Sequence, residues 1–108
     1  MINPLKIGEM LSQANQMQEE VQRKLAQTVV EGSSGGGAVT ATMNGKKQLL
    51  KIRIDPSAVL SLNGSQADVE MLEDLVVAAI NDAGRKAEEA MQSSVQGLLG
   101  GLKLPGLS

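Results

Sequence analysis

The apolar pattern of this 108-residue chain changes period twice, and those two changes constrain the fold more than any single motif does. From Pro4 to about Ala26, Ile7, Met10, Ala14, Met17, Val21 and Leu25 recur every three or four residues, which places them along one side of a helix. Asn3-Pro4 supplies the start signal, since Asn caps a helix and Pro is tolerated at its first position. Gln13, Gln16, Gln18, Glu19, Gln22 and Arg23 occupy the remaining surface. A stripe held over about three heptads resembles a coiled-coil seam, and such a seam needs a partner helix.

From Thr28 the period is two. Thr28–Glu31, Ala38–Met43 and Lys46–Ile54 are rich in β-branched residues and read as strands. The run Gly32–Gly37 reads as a flexible loop between the first two, and Asn44-Gly45 as a type I′ hairpin turn between the second pair. The three strands therefore form an antiparallel meander. In the third, Gln48, Leu50, Ile52 and Ile54 alternate with Lys47, Leu49, Lys51 and Arg53, which predicts a core face and a mostly basic face. Asp55-Pro56-Ser57 ends the strand and opens a short helical turn through Val59.

The helical period returns near Asp68 and continues to about Ser94, with Leu72, Val76, Ala79, Ile80, Ala83, Ala87 and Met91 on its apolar side. Glu70, Glu73 and Asp74 lie near its positive end. Such a helix would be about 40 Å long, against a radius of gyration near 13 Å for a compact chain of this size, so its ends should project. Two projecting apolar stripes are unstable alone in water and predict a symmetric homodimer. The expected architecture is α+β: helix, three-stranded antiparallel meander, long helix, in an intertwined homodimer. A domain over residues 1–96 is followed by a flexible Gly/Leu-rich tail over 97–108.

The chain has no His, no Cys and no aromatic residue. Imidazole acid/base chemistry, thiolate nucleophiles and the usual ligands of structural zinc are thereby excluded. So are the rings on which single-stranded nucleic acid stacks. Gly32 and Gly37 have the spacing of a phosphate-binding loop, but Ala38-Val39 stands where Lys-Ser/Thr is required. Gly32-Ser33-Ser34-Gly35 matches the GxxG of KH domains, yet it joins strands rather than helices. The adjacent acids Glu19/Glu20, Glu73/Asp74 and Glu88/Glu89 diverge around their helices, and Asp74 with Asp82 lacks a third metal ligand. No enzymatic activity, cofactor or metal is expected. No apolar run approaches the roughly 20 residues of a membrane span. Pro4 and Gly8 interrupt the segment where a signal peptide would be apolar, so the expected compartment is the cytoplasm.

With ten Lys and Arg against twelve Asp and Glu, the net charge is −2, and any nucleic-acid binding must come from local patches. Residues 1–27 are balanced, Thr28–Asp55 carries +2, and Asp68–Gln92 sets Arg85 and Lys86 against seven acids for −5. Positive charge concentrates at Arg23-Lys24, on the third strand and at Arg85-Lys86.

Gln16-Met17-Gln18, Ile54-Asp55-Pro56-Ser57, the block Met71-Leu72-Glu73-Asp74-Leu75-Val76 continuing through Ala78-Ala79 to Asn81-Asp82-Ala83, and Leu104-Pro105-Gly106 together resemble the YbaB/EbfC family of bacterial nucleoid-associated proteins. The resemblance implies an α-β-β-β-α fold, an obligate homodimer with its helices held out like tweezers, and binding to double-stranded DNA in the nucleoid, with a role in its organisation and in gene regulation. It places DNA contacts on the first and last helices, which here means Lys6, Gln13, Gln16, Arg23, Lys24, Arg85 and Lys86. The alternative is a dimeric protein-interaction adaptor that docks through its acidic second helix or its Leu/Gly tail.

Overall fold

The Asn3 side chain accepts the Leu5 amide at 3.1 Å and Pro4 follows as the first helical residue, so the first helix starts where its capping signal stands. In the computed structural model, which describes residues 3–101, α1 spans Pro4–Gln27 and leads into strands β1 (Val29–Ser34), β2 (Val39–Asn44) and β3 (Leu49–Ile54). They form one antiparallel sheet in the order β1-β2-β3. A short helix α2 (Pro56–Leu60), capped by Asp55, precedes the long helix α3 (Gln66–Gly101). The element order is that expected from the changes of period.

Three boundaries differ, the first two for a tertiary reason. Gly32-Ser33-Ser34, expected as loop, pairs within β1 against Ala41, Thr40 and Val39. Gly32 is buried because α3 crosses directly over it: a Cβ there would overlap the Ala83 amide nitrogen and the Ala79 carbonyl oxygen. Only Gly35–Gly37 remains as a connection, a single 3-10 turn in which all three glycines have positive φ.

Asn44-Gly45 does not form the expected two-residue turn; the positive φ falls on Lys47, at 63°, and the loop closes further along the chain. Asn44 is 3% exposed, and its Oδ1 accepts the amides of Lys46 and Gln48 at 3.0 Å each. The Gly45 amide donates to the carbonyls of Leu25 at 2.9 Å and Thr28 at 3.0 Å. The pair therefore anchors the C-terminal end of α1 instead of merely reversing the chain.

The third difference is at the end of α3, which continues past Ser94 through Gly97 to Gly101. Propagating an existing helix needs only one further hydrogen bond per residue, so glycines slow it without stopping it. The first five residues of the stretch expected as a tail are thus helical, and 102–108 lie outside the described residues.

The register assigns the two faces of the sheet. The rows Gly32–Ala41–Ile52 and Ser34–Val39–Ile54 face α3, while Glu31–Thr42–Lys51 and Ser33–Thr40–Arg53 face away. A bulge between Thr42 and Met43 breaks the alternation at the start of β3, and Leu50, expected in the core, is 54% exposed. Val39, Ala41, Met43, Ala79, Ala83 and Ala87 form the buried core. The alanines at every fourth position of α3 let its backbone lie close to β1 and β2.

The molecule measures 75 × 27 × 18 Å, with a radius of gyration of 21.0 Å. A compact chain of this length would have about 13 Å. On α1 only Leu25 is buried, while Leu5, Met10 and Leu11 are 76%, 68% and 61% exposed. The helices project as the length argument requires, and they carry apolar surface that one chain leaves open.

Candidate nucleic-acid interface

α1 and the C-terminal half of α3 leave the sheet together and run antiparallel. Leu25 meets Gly45 at the sheet, and further out Glu20, Val21 and Lys24 line a groove of about 430 Å³ with Ser93, Ser94 and Gly97. Lys6, Gln13, Gln16, Arg23 and Lys24 are all exposed on α1. They do not form one cluster, because Lys6 and Lys24 lie about 27 Å apart along the helix axis. The arm is a row of separated polar contacts ending in the Arg23-Lys24 pair beside the sheet.

Arg85 and Lys86 sit elsewhere, where α3 crosses β1, and Asp82 holds both of them. Arg85 Nη2 lies 3.1 Å from Asp82 Oδ1, and Lys86 Nζ lies 3.5 Å from Asp82 Oδ2. Lys86 Nζ also donates to the Glu31 carbonyl at 2.9 Å, and the Ser33 amide donates to Asp82 Oδ2 at 3.0 Å. This network ties the helix to the strand. Both cations keep exposed surface, with side-chain accessibilities of 69% and 49%, but one carboxylate already offsets part of their charge.

The Ser33 amide holds the Asp82 carboxyl below its ordinary range, and Lys86 and Arg85 act in the same direction. A carboxylate depressed in the folded state stabilises fully above its unfolded-state value and loses that contribution as pH falls through the folded-state value. Asp82→Asn should therefore flatten the loss of stability on acidification below about pH 4, measured as urea midpoints from neutral pH down to about pH 3. An acid limb unchanged by the substitution would mean that Asp82 does not carry it.

A second cationic surface lies on the outward face of the sheet. Lys51 and Arg53 project from β3 beside Thr40, Thr42 and Glu31 around a concavity of about 60 Å³. The two-residue alternation already put them on a basic face, though they were not among the residues expected to contact DNA. Lys47, from the same basic run, is engaged with Glu88 at 2.9 Å. Among the described residues, Lys6, Arg23, Lys24, Lys46, Lys51 and Arg53 are the cations with no carboxylate within ion-pair distance. No group of three or more acidic side chains among the described residues could hold a metal ion, and no described helix is long and apolar enough to cross a membrane.

Comparison with known proteins bears on this arrangement. The family model described as the YbaB/EbfC DNA-binding family matches residues 3–102. A nucleoid-associated protein of Acidobacterium capsulatum is 69% identical over 104 residues, covering 96% of each chain. Another, from Koribacter versatilis, is 53% identical over 100 residues, covering 93% of this chain and 94% of that one. The fold is shared with a crystal structure of an uncharacterized protein from Helicobacter pylori at a TM-score of 0.72 and 22% identity, over 92% of this chain and 99% of that one. With nearly its whole length matched, the chain belongs to the YbaB/EbfC family, a family of DNA-binding nucleoid-associated proteins and not of enzymes.

Proposed function

We propose that this protein binds double-stranded DNA as a homodimer, with little preference for sequence, and acts architecturally on the bacterial nucleoid in the cytoplasm. The observation that carries the reading is the projecting arm, on which exposed Lys and Arg are spaced among glutamines along a helix with little burial of its own. Separated cations suit phosphates along a duplex, and phosphate contacts position a protein without reading bases. Homodimerisation is supported by the exposed apolar residues of α1 and by the elongated shape of the single chain. Two arms held at a fixed spacing gain avidity that neither modest patch has alone. A part in nucleoid organisation and gene regulation follows from such binding.

Fluorescence anisotropy of unrelated labelled duplexes, titrated with protein from low to physiological salt, tests this. Comparable affinity for every duplex and a negative slope of log affinity against log salt are expected. Absence of binding even at low salt would overturn the reading in favour of a protein-interaction adaptor.

A further inference from the structure

Of the six described cations with no carboxylate within ion-pair distance, all but Lys6 gather at one end of the sheet and along its outward face. Arg23 and Lys24 close the arm. Leu25, next in the chain, packs on Gly45 and accepts its amide at 2.9 Å, so the exposed Lys46 stands beside the base of the arm. β3 sets out from this same end, because Val29 at the start of β1 pairs with Asn44 and Leu49 at the start of β3 pairs with Met43. Lys51 and then Arg53 follow along β3, both on the side of the sheet turned away from α3. At about 3.4 Å of rise per residue they stand about 7 Å apart, comparable with the step between successive phosphates of one DNA strand.

The two rows that carry these cations are Ser33–Thr40–Arg53 and Glu31–Thr42–Lys51. They hold hydroxyls and charges and no aliphatic side chain, whereas the inward rows, which α3 covers, are apolar. Thr40 and Thr42, half-buried on the central strand, lie between the charged side chains in the concavity of about 60 Å³. Lys, Arg, Ser and Thr are the side chains that hold phosphate oxygens on a duplex. Two acids are near. Asp55, two residues after Arg53, is engaged with the Ser57 amide at 3.0 Å, and Glu31 stands across β2 from Lys51, about 10 Å away by two strand spacings.

We propose that the outward face of the sheet binds the backbone of duplex DNA and carries the duplex onward from the arm. Lys51 and Arg53 pair with successive phosphates of one strand, and Ser33, Thr40 and Thr42 donate hydrogen bonds to the phosphate oxygens. This assignment rests on the DNA-binding reading and adds to it a surface that lies on neither long helix. Continuity with the arm selects a duplex over an acidic protein, since a duplex is a uniform polyanion that can occupy both surfaces at once. Glu31 is then a carboxylate on the face that opposes binding.

Anisotropy titrations of two unrelated duplexes against salt test the face in the full chain. Lys51→Gln with Arg53→Gln should flatten the log–log salt slope by about 1.8 for each protomer engaged, a loss of about 60-fold in affinity at about 0.1 M salt. Both duplexes should lose alike, and the urea midpoint should stay at the wild-type value because both side chains are exposed. Glu31→Gln should act in the opposite direction, raising affinity about twofold per protomer at low salt. A merely structural role for this face would not produce opposite signs from the two changes. A wild type that binds no duplex even at low salt overturns the DNA-binding reading and this face with it. A wild type that binds, with a slope unchanged by Lys51→Gln and Arg53→Gln, overturns the face alone, as does capture of an acidic protein through these residues in place of DNA. If the double variant does not fold, Glu31→Gln decides, and an affinity equal to or below that of the wild type overturns the face.

Discussion

Gly32→Ala should cost about 3 kcal/mol or more, since overpacking a close contact between backbones leaves no side chain to give way. The atoms a Cβ would meet are the Ala83 amide nitrogen and Cα and the Ala79 carbonyl, all main chain of a helix whose own hydrogen bonds fix them. To admit the methyl group, α3 must lift from β1, and lifting it uncovers Ala79, Ala83 and Ala87 together with Val39 and Ala41 beneath them. That is most of the buried core of a chain that has no aromatic side chain to refill the gap. With typical domain stability at about 5–15 kcal/mol, such a loss is a large share of the total. Gly36→Ala is the control: nothing lies within 4 Å of its added Cβ, and only the positive φ is strained, at a cost of about 1 kcal/mol. Urea unfolding followed by far-UV circular dichroism should show a much lower midpoint for Gly32→Ala than for Gly36→Ala. Equal midpoints would mean that α3 is not seated on Gly32.

Gly32 also shows why part of the fold was not legible in the sequence. The order of elements was legible because period and capping are local: Asn3-Pro4, Asp55-Pro56 and the two apolar stripes each state their own conformation. A Gly-Ser-Ser run states only permissiveness, and here the permissiveness serves a helix some fifty positions away rather than a loop. The same holds for Asn44-Gly45: Leu25 and Thr28 claim the Gly45 amide, and the Asn44 side chain claims the amides of Lys46 and Gln48, before any hairpin type is chosen. The cations of the candidate interface divide in a similar way. Arg85 and Lys86 stand three and four residues after Asp82, a spacing that brings side chains together on a helix, so their pairing could have been read from the sequence. The further ties from Ser33 and Glu31 could not, because they depend on where α3 crosses the sheet.

That division predicts how the two basic pairs differ in DNA binding. Arg23 and Lys24 are exposed on the arm and, among the described residues, have no carboxylate within ion-pair distance, so neutralising them removes charge without unbalancing a network. If each contacts a phosphate in both protomers, Arg23→Ala with Lys24→Ala takes four phosphates out of the interface, and the log–log salt slope should flatten by about 3.6. At about 0.1 M salt that amounts to a loss of about 4,000-fold in affinity, shared by every duplex, because counterion release does not depend on base sequence. Arg85→Ala with Lys86→Ala removes the same formal charge but leaves Asp82 unpaired by either cation, so its effect mixes lost attraction with a loosened tie between α3 and β1. It should lower the unfolding midpoint as well as the affinity, whereas the Arg23/Lys24 variant should keep the wild-type midpoint. Anisotropy titrations of two unrelated duplexes, run beside urea unfolding of both variants, separate these outcomes. A loss confined to one duplex would show that Arg23 and Lys24 read bases, and an unchanged slope would remove them from the interface.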